Sequence, residues 1–259
     1  MMTSDDGLFR WLDYIHKYGL AFLRGVPLNK DEIIKVVQRF AYVKQTSYGI
    51  TFDVVNEPDP EAHLAFTGVH LDHHTDMNYR EKSPGLQLLH CMKADVLSGE
   101  ELENVGGESF FVDGFAIANW LRETHPAAFH VLTSTAVKFS IVNKGHRYSQ
   151  KVPIICVDKA GDIEEVHVNN RTMGPLQVPS HLVLPFYHAY KILTNKIRDG
   201  SHELRFHMQP KDLVLFNNRR ALHGRTQFDP SKISRHLIGC YTDSDEMMSK
   251  YDSFLIGSH

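Results

Sequence analysis

His74 and Asp76, in the stretch His73-His74-Thr75-Asp76, set a demanding condition on the fold if they act together with His223. That residue lies in Leu222-His223-Gly224-Arg225, toward the other end of the chain. Side chains alternate along a β-strand, so residues two apart face the same side. On such a strand an imidazole nitrogen of His74 and a carboxylate oxygen of Asp76 converge on a single ion, with His223 as the candidate third donor. Two histidines and one carboxylate make the facial set that leaves coordination positions open on non-haem Fe(II). The chain must then return a late segment beside an early one. The pair alone is a weak signal. With 17 His and 31 acidic residues among 259, such spacings arise by chance, and His70 and Asp72 form another next door.

The periodicities along the chain supply a frame for this return. Leu8, Trp11, Leu12, Tyr14 and Ile15 mark an amphipathic helix over 7–17, and Leu20-Ala21-Phe22-Leu23 reads as a buried strand. Asn29-Lys30-Asp31-Glu32 opens a second helix through Ile33, Ile34, Val36, Val37, Phe40 and Ala41, with Asp31 placed to accept from its first-turn N–H groups. Residues 46–72 are irregular and rich in turn formers, yet Tyr48, Phe52 and Phe66 argue for a functional loop over disorder. Strands follow at 86–92, 108–113, 152–157, 164–168, 204–208, 213–216 and 236–241, with helices at 116–123, 126–132 and 179–198. This is a mainly β chain with supporting helices, and it predicts a double-stranded β-helix, a jelly-roll barrel. No repeat or Pro-rich linker divides it. We therefore expect one domain over 1–259: a helical opening segment (1–45), a substrate loop (46–72) and a jelly-roll core with helical insertions (73–245).

Charge and cysteine usage exclude several roles. A net charge of -3 gives no footing for nucleic acid or an anionic membrane. No apolar run reaches membrane-spanning length. The start, Met1-Met2-Thr3-Ser4-Asp5-Asp6, has neither the apolar core of a signal peptide nor the arginines of a mitochondrial transit peptide. Cys91, Cys156 and Cys240 form no C-x-x-C and read as reduced thiols, which predicts a cytoplasmic protein.

A fourth residue extends the metal reading. Arg235, in Ser234-Arg235-His236-Leu237, follows His223. A guanidinium binds a carboxylate bidentately, as a Lys cannot. An open metal site with a carboxylate anchor nearby suits a cosubstrate carrying two acid groups. 2-Oxoglutarate fits: one carboxylate and the keto oxygen chelate iron while the far carboxylate reaches Arg235, with Ser109 as a second donor.

The motifs His74-Thr75-Asp76, Pro84-Gly85-Leu86-Gln87-Leu88-Leu89-His90-Cys91, Gly106-Gly107-Glu108-Ser109, Val112-Asp113-Gly114-Phe115, Val168-Asn169-Asn170, Leu222-His223-Gly224-Arg225 and Ser234-Arg235-His236-Leu237 occur in this order. Together they resemble the γ-butyrobetaine dioxygenase and trimethyllysine dioxygenase family, the former more closely, from about Leu8 to Lys250. The resemblance implies Fe(II), 2-oxoglutarate and O2, with ascorbate as reductant, and hydroxylation of a small trimethylammonium acid, γ-butyrobetaine giving carnitine. It also implies an aromatic cage for the trimethylammonium group, at Tyr48, Phe52, Phe66 and Tyr241. His63, Asn169 and Asn170 fall at or near the substrate's acid end. Three of these positions depart from the family pattern: Phe52 stands for a Trp, Phe66 for a Tyr and His63 for an Asn. A zinc-bearing N-terminal domain usual in the family has no counterpart in this sequence, so the chain is expected to be a short member, a truncated form or an isoform. A homodimer is a candidate assembly.

Three rival roles follow: a trimethylammonium hydroxylase, a 2-oxoglutarate oxygenase for another small molecule, and a non-catalytic binding or regulatory form. Against each sharp assignment stands a plain one. The aromatics can be core, and Arg235 can be half of a structural ion pair. His70, His73 and His90 read as surface or satisfied polar residues.

Overall fold

The computed structural model describes residues 1–55, 68–143 and 145–256. The chain opens as read. Ser4 accepts from the Gly7 N–H at 3.1 Å and caps α1 (Asp5–Tyr18), and Gly19, left-handed at φ 71, ends it. Leu8, Trp11, Leu12 and Ile15 form its buried stripe. After β1 (Leu20–Leu23), the second helix differs from expectation. α2 is only Glu32–Val37, and Asp31 caps nothing with its side chain; instead Asn29 Oδ1 accepts from the Asp31 N–H at 3.0 Å. Past Val37 the chain tightens into three-residue turns, Arg39 N–H donating to the Val36 carbonyl at 3.3 Å and Phe40 N–H to the Val37 carbonyl at 2.9 Å, and the helix ends there.

There follow β2 (Phe52–Val55), β3 (Leu71–His74), β4 (Leu86–Val96), β5 (Ser109–Asp113), α3 (Gly114–Thr124), α4 (Pro126–Ser134), β6 (Ala136–Asn143), β7 (His146–Pro153), β8 (Ile155–Val157), β9 (Ile163–Val166), α5 (Ser180–Arg198), β10 (Glu203–Phe206), β11 (Leu213–Asn217), β12 (Ala221–Arg225), β13 (Ile233–Thr242) and α6 (Ser244–Ile256). Two antiparallel sheets carry the fold. The larger runs β1-β11-β4-β13-β2 and the smaller β10-β5-β12-β3. The jelly-roll core is as expected, but among the described residues no strand pairing joins the two sheets, so they do not close into a barrel. β1, from the opening segment, is itself an edge of the larger sheet, pairing Leu20 with Phe216 and Leu23 with Leu213.

Alternation sorts the strands into layers. Leu86 and Leu88 of β4, Leu213 and Leu215 of β11, and Ile238 and Cys240 of β13 pack outward with α1, α2 and α6. Leu89, Cys91, Val214, Phe216 and Leu237 point inward, where they meet Phe111 and Ala221 of the smaller sheet. The outer face of the smaller sheet, through Val112 and Leu222, is covered by α3, α4 and α5. Phe216 is fully buried in the inner layer; truncating such a side chain costs about 3–5 kcal/mol.

Two glycines let the sheets carry a site. At Gly224, an added Cβ would lie 2.2 Å from Phe110 and 2.4 Å from the Leu71 carbonyl, so only glycine lets β3 close on β12. At Gly239, an added Cβ would lie 2.3 Å from the Phe52 ring, which therefore lies across β13.

Candidate metal centre

β3 and β12 pair antiparallel with His74 opposite His223, so the return that the sequence demanded is made by neighbouring strands. The ligand atoms of His74, Asp76 and His223 all lie within 4.8 Å of one another. His74 Nε2 is 3.3 Å from Asp76 Oδ1, His223 Nε2 is 3.8 Å from Asp76 Oδ2, and the imidazole centroids are 4.2 Å apart. His74 Nδ1 faces the Asp72 carbonyl at 2.8 Å. It donates there, which leaves the Nε2 lone pair aimed at the cluster.

Asp76 reaches the cluster by a different route from simple alternation. β3 ends at His74, and Asp76 lies beyond it, followed by Met77 in the left-handed region at φ 59. That conformation is uncommon for a residue with a Cβ and needs support. Asn218, fully buried in the turn between β11 and β12, gives it. Its Oδ1 accepts from the Asp76 N–H at 2.8 Å, and its Nδ2 donates to the carbonyls of Asp76 at 3.1 Å and Pro84 at 3.0 Å. One amide thus ties Asp76 to the hairpin that carries His223. The carboxylate also accepts from the Tyr241 hydroxyl at 2.8 Å.

The charges are mutually dependent. Burial works against the Asp76 charge, but His74, His223 and Tyr241 outweigh it and hold the carboxyl well below the usual range. Burial works against protonating His74, and the Asp76 carboxylate reverses this, so its pKa lies above the ordinary value. His223 is pushed down to about 3 by burial and then by the positive charge of His74. Two imidazole nitrogens and a carboxylate in this arrangement fit a divalent transition metal.

The cluster faces a cavity of about 220 Å³ between the two sheets. Asp76 is the only carboxylate lining it among the described residues, against three guanidinium groups, Arg171, Arg225 and Arg235. Arg235 and Ser109 lie together, with Nη2 to Oγ at 3.4 Å. Among the described residues no acidic side chain lies within ion-pair distance of Arg235. Burial pulls its pKa down to about 10, so it stays cationic at neutral pH. Arg225, two residues past His223 on the same face of β12, is also buried; it donates to the Val69 carbonyl at 2.6 Å and lies 4.6 Å over Phe228.

Tyr48, Phe52, Tyr79 and Tyr241 line the cavity as well. Phe52 and Tyr241 are stacked with centroids 5.2 Å apart, and Tyr48 lies 6.3 Å from Phe52. Asn169 lines it too, but its amide is engaged in the local turn: Nδ2 donates to the Thr75 carbonyl at 3.1 Å and Oδ1 accepts from the Arg171 N–H at 3.2 Å. Asn170 is not brought to the cavity. It is exposed, and its Oδ1 accepts from the Tyr190 hydroxyl at 2.7 Å. His63 and Phe66 lie outside the described residues. His73 is satisfied by Glu203 at 2.9 Å, and His70 stacks near Phe110. His90 is neither on the surface nor well satisfied: it is fully buried on the outward face of β4, and burial lowers its pKa, so it is neutral.

Sequence reasoning missed Asn218, Tyr79, Arg171 and Arg225. The spacing of Arg225 from His223 was a usable signal, since both must share a face of one strand. Asn218 gave none beyond its place in an Asn-Asn turn.

Residues 1–241 match the model of the "Taurine catabolism dioxygenase TauD, TfdA family". The gamma-butyrobetaine dioxygenase of Pseudomonas sp. (strain AK-1) is 35% identical over 250 residues, covering 96% of this chain and 63% of that protein. The trimethyllysine dioxygenase of Meyerozyma guilliermondii is 30% identical over 260 residues, covering 98% of this chain and 62% of that protein. The chain thus spans less than two thirds of the length of these relatives. Among solved structures, an asparagine oxygenase in complex with Fe(II), 2S,3S-3-hydroxyasparagine and succinate superposes with a TM-score of 0.69, at 16% identity, over 92% of this chain and 80% of that one. That likeness concerns the fold.

Proposed function

The chain belongs to the TauD, TfdA dioxygenase family, and from that membership we propose that it is an Fe(II)- and 2-oxoglutarate-dependent dioxygenase. Its proposed substrate is a small trimethylammonium acid, γ-butyrobetaine first, with carnitine as product. The observation that carries this reading is one cavity that holds the His74, Asp76 and His223 donors, the Arg235 guanidinium and a set of aromatic rings together.

Iron held by His74, Asp76 and His223 would supply the oxygen chemistry, in which 2-oxoglutarate and O2 give succinate and CO2 as one oxygen atom enters a substrate C–H bond. The chain's own residues bind and orient. Arg235, with Ser109 beside it, takes the far carboxylate of 2-oxoglutarate in a bidentate grip. Tyr48, Phe52 and Tyr241 receive the trimethylammonium group, with Tyr79 completing the wall. A quaternary amine has no N–H to donate, so ring faces recognise it, at about 0.5–2 kcal/mol per contact. Leu89, Phe111 and Leu237 line the space between and exclude water from the reacting carbon. The net charge of -3 and the three free cysteines support a cytoplasmic enzyme without a nucleic-acid partner.

The test is succinate release from 2-oxoglutarate by the purified, Fe(II)-loaded chain, with and without γ-butyrobetaine. The expected result is strong stimulation with carnitine in equal amount, and loss of both products in His74→Ala and Asp76→Ala. Wild-type-like turnover in either variant contradicts the assignment. Stimulation by trimethyllysine or another quaternary amine alone moves the substrate and keeps the mechanism. That second reading is favoured by Phe52, which stands where the resembled enzymes carry Trp. Metal binding without any turnover favours a non-catalytic form.

A further inference from the structure

β13 runs the length of the cavity. Arg235 and Tyr241 both face inward from it, separated by roughly 20 Å of strand at about 3.3 Å per residue. Tyr241 is held from several sides. It pairs with Gln87 of β4, its carbonyl accepts from the Lys44 N–H at 2.8 Å, and its ring stacks on Phe52 at 5.2 Å. The hydroxyl therefore has one place to go, and it reaches Asp76 Oδ2 at 2.8 Å.

Asp76 needs such a partner. It lies past the end of β3, beside a left-handed Met77, so no strand pairing fixes its side chain. Asn218 fixes its backbone. Of the contacts to its carboxylate, those from His74 and His223 are the ones a metal would replace, and the hydroxyl of Tyr241 is the one that would remain. The hydroxyl takes a lone pair of Oδ2, which lies 3.8 Å from His223 Nε2, and leaves Oδ1, nearer the cluster at 3.3 Å from His74 Nε2, free of it.

We propose that Tyr241 serves two subsites at once: its ring walls the amine pocket, and its hydroxyl is a positioning group that presents a single oxygen of Asp76 to the metal. The inference rests on the metal reading above. Partners of this kind typically contribute 10–100-fold to metal affinity. A hydroxyl present only to satisfy its own burial would contribute nothing to it.

The experiment is an anaerobic titration of Fe(II), and of Co(II) for its visible spectrum, into the parent chain, Tyr241→Phe and Tyr241→Leu. γ-Butyrobetaine binding is measured on each metal-saturated chain, and the melting temperature on each metal-free chain. The Phe variant keeps the ring and loses the hydroxyl. It should bind metal about tenfold or more weakly, with altered Co(II) bands, while amine affinity stays within about twofold. The Leu variant should lose both. Unchanged metal affinity in the Phe variant overturns the inference. So does an equal loss of metal and amine binding with a lowered melting temperature, which marks a merely structural role. No stoichiometric metal binding by the parent chain overturns the metal reading and this inference with it.

Discussion

The two ends of the cavity are built differently. At the acid end, Ser109, Arg225 and Arg235 stand on β5, β12 and β13, each paired on both sides within its sheet. At the aromatic end, Phe52 stands on β2, an edge strand; Tyr48 lies in the Thr46–Gly49 turn and Tyr79 beyond the Met77 bend. Only Tyr241 comes from an interior strand. A guanidinium fork must meet a carboxylate in one geometry, and interior strands hold such geometry. A quaternary amine accepts any close ring face, and loops suffice to supply those. Phe52, one of the positions where this sequence departs from the resembled family, lies at the aromatic end. On the proposed reading, the acid end carries the mechanism and the aromatic end the choice of amine.

Substitutions can break or sharpen the contrast. The largest effect is expected at Arg235. Loss of a charge-assisted carboxylate grip costs about 1.5–3 kcal/mol, so Arg235→Ala should raise the KM for 2-oxoglutarate about 10- to 100-fold and leave amine affinity unchanged. A Lys at that position should recover part of the loss. An equal effect on both ligands would abolish the division. Asn218→Ala is next. It frees the backbone of Asp76 and should weaken Fe(II) binding about tenfold, measured by anaerobic titration, with a modest fall in melting temperature. The smallest effect is at Phe52. Phe52→Trp supplies a stronger cation–π face, worth about 0.5–1 kcal/mol, and should lower the KM for the quaternary amine about two- to fivefold without touching that for 2-oxoglutarate. A rise in the latter would show that the ends are coupled through β13.

The sequence made the acid end more legible than the aromatic one, for the same physical reason. Strands announce themselves by periodicity, so Leu20–Leu23, the 86–92 part of β4 and the 213–216 part of β11 were readable, whereas β12 with His223 was not read as a strand and Arg235 fell just outside the strand read at 236–241. The His-x-Asp spacing pointed to a shared ion, but the alternation invoked for it stops at His74; a bend and the amide of Asn218 carry Asp76 the rest of the way. Nothing local in Asn217-Asn218 encodes a partner on a distant loop. The β6–β7 hairpin was missed although Val137, Phe139 and Ile141 alternate with Lys138 and Ser140 along β6, and α6 was missed because its first turn follows a long strand without a break. Whether strands close into a barrel depends on how edge strands approach one another, which no single strand's pattern reports.

The central claim is that one cavity holds metal, acid and amine in line along β13. Anomalous diffraction at the iron edge from an anaerobic crystal with Fe(II), 2-oxoglutarate and γ-butyrobetaine tests it most directly. The account predicts a single iron peak bounded by His74, Asp76 and His223, the far carboxylate of 2-oxoglutarate on Arg235, and the trimethylammonium group against Tyr48, Phe52 and Tyr241. Iron elsewhere, or the amine lying at Arg235, would contradict it.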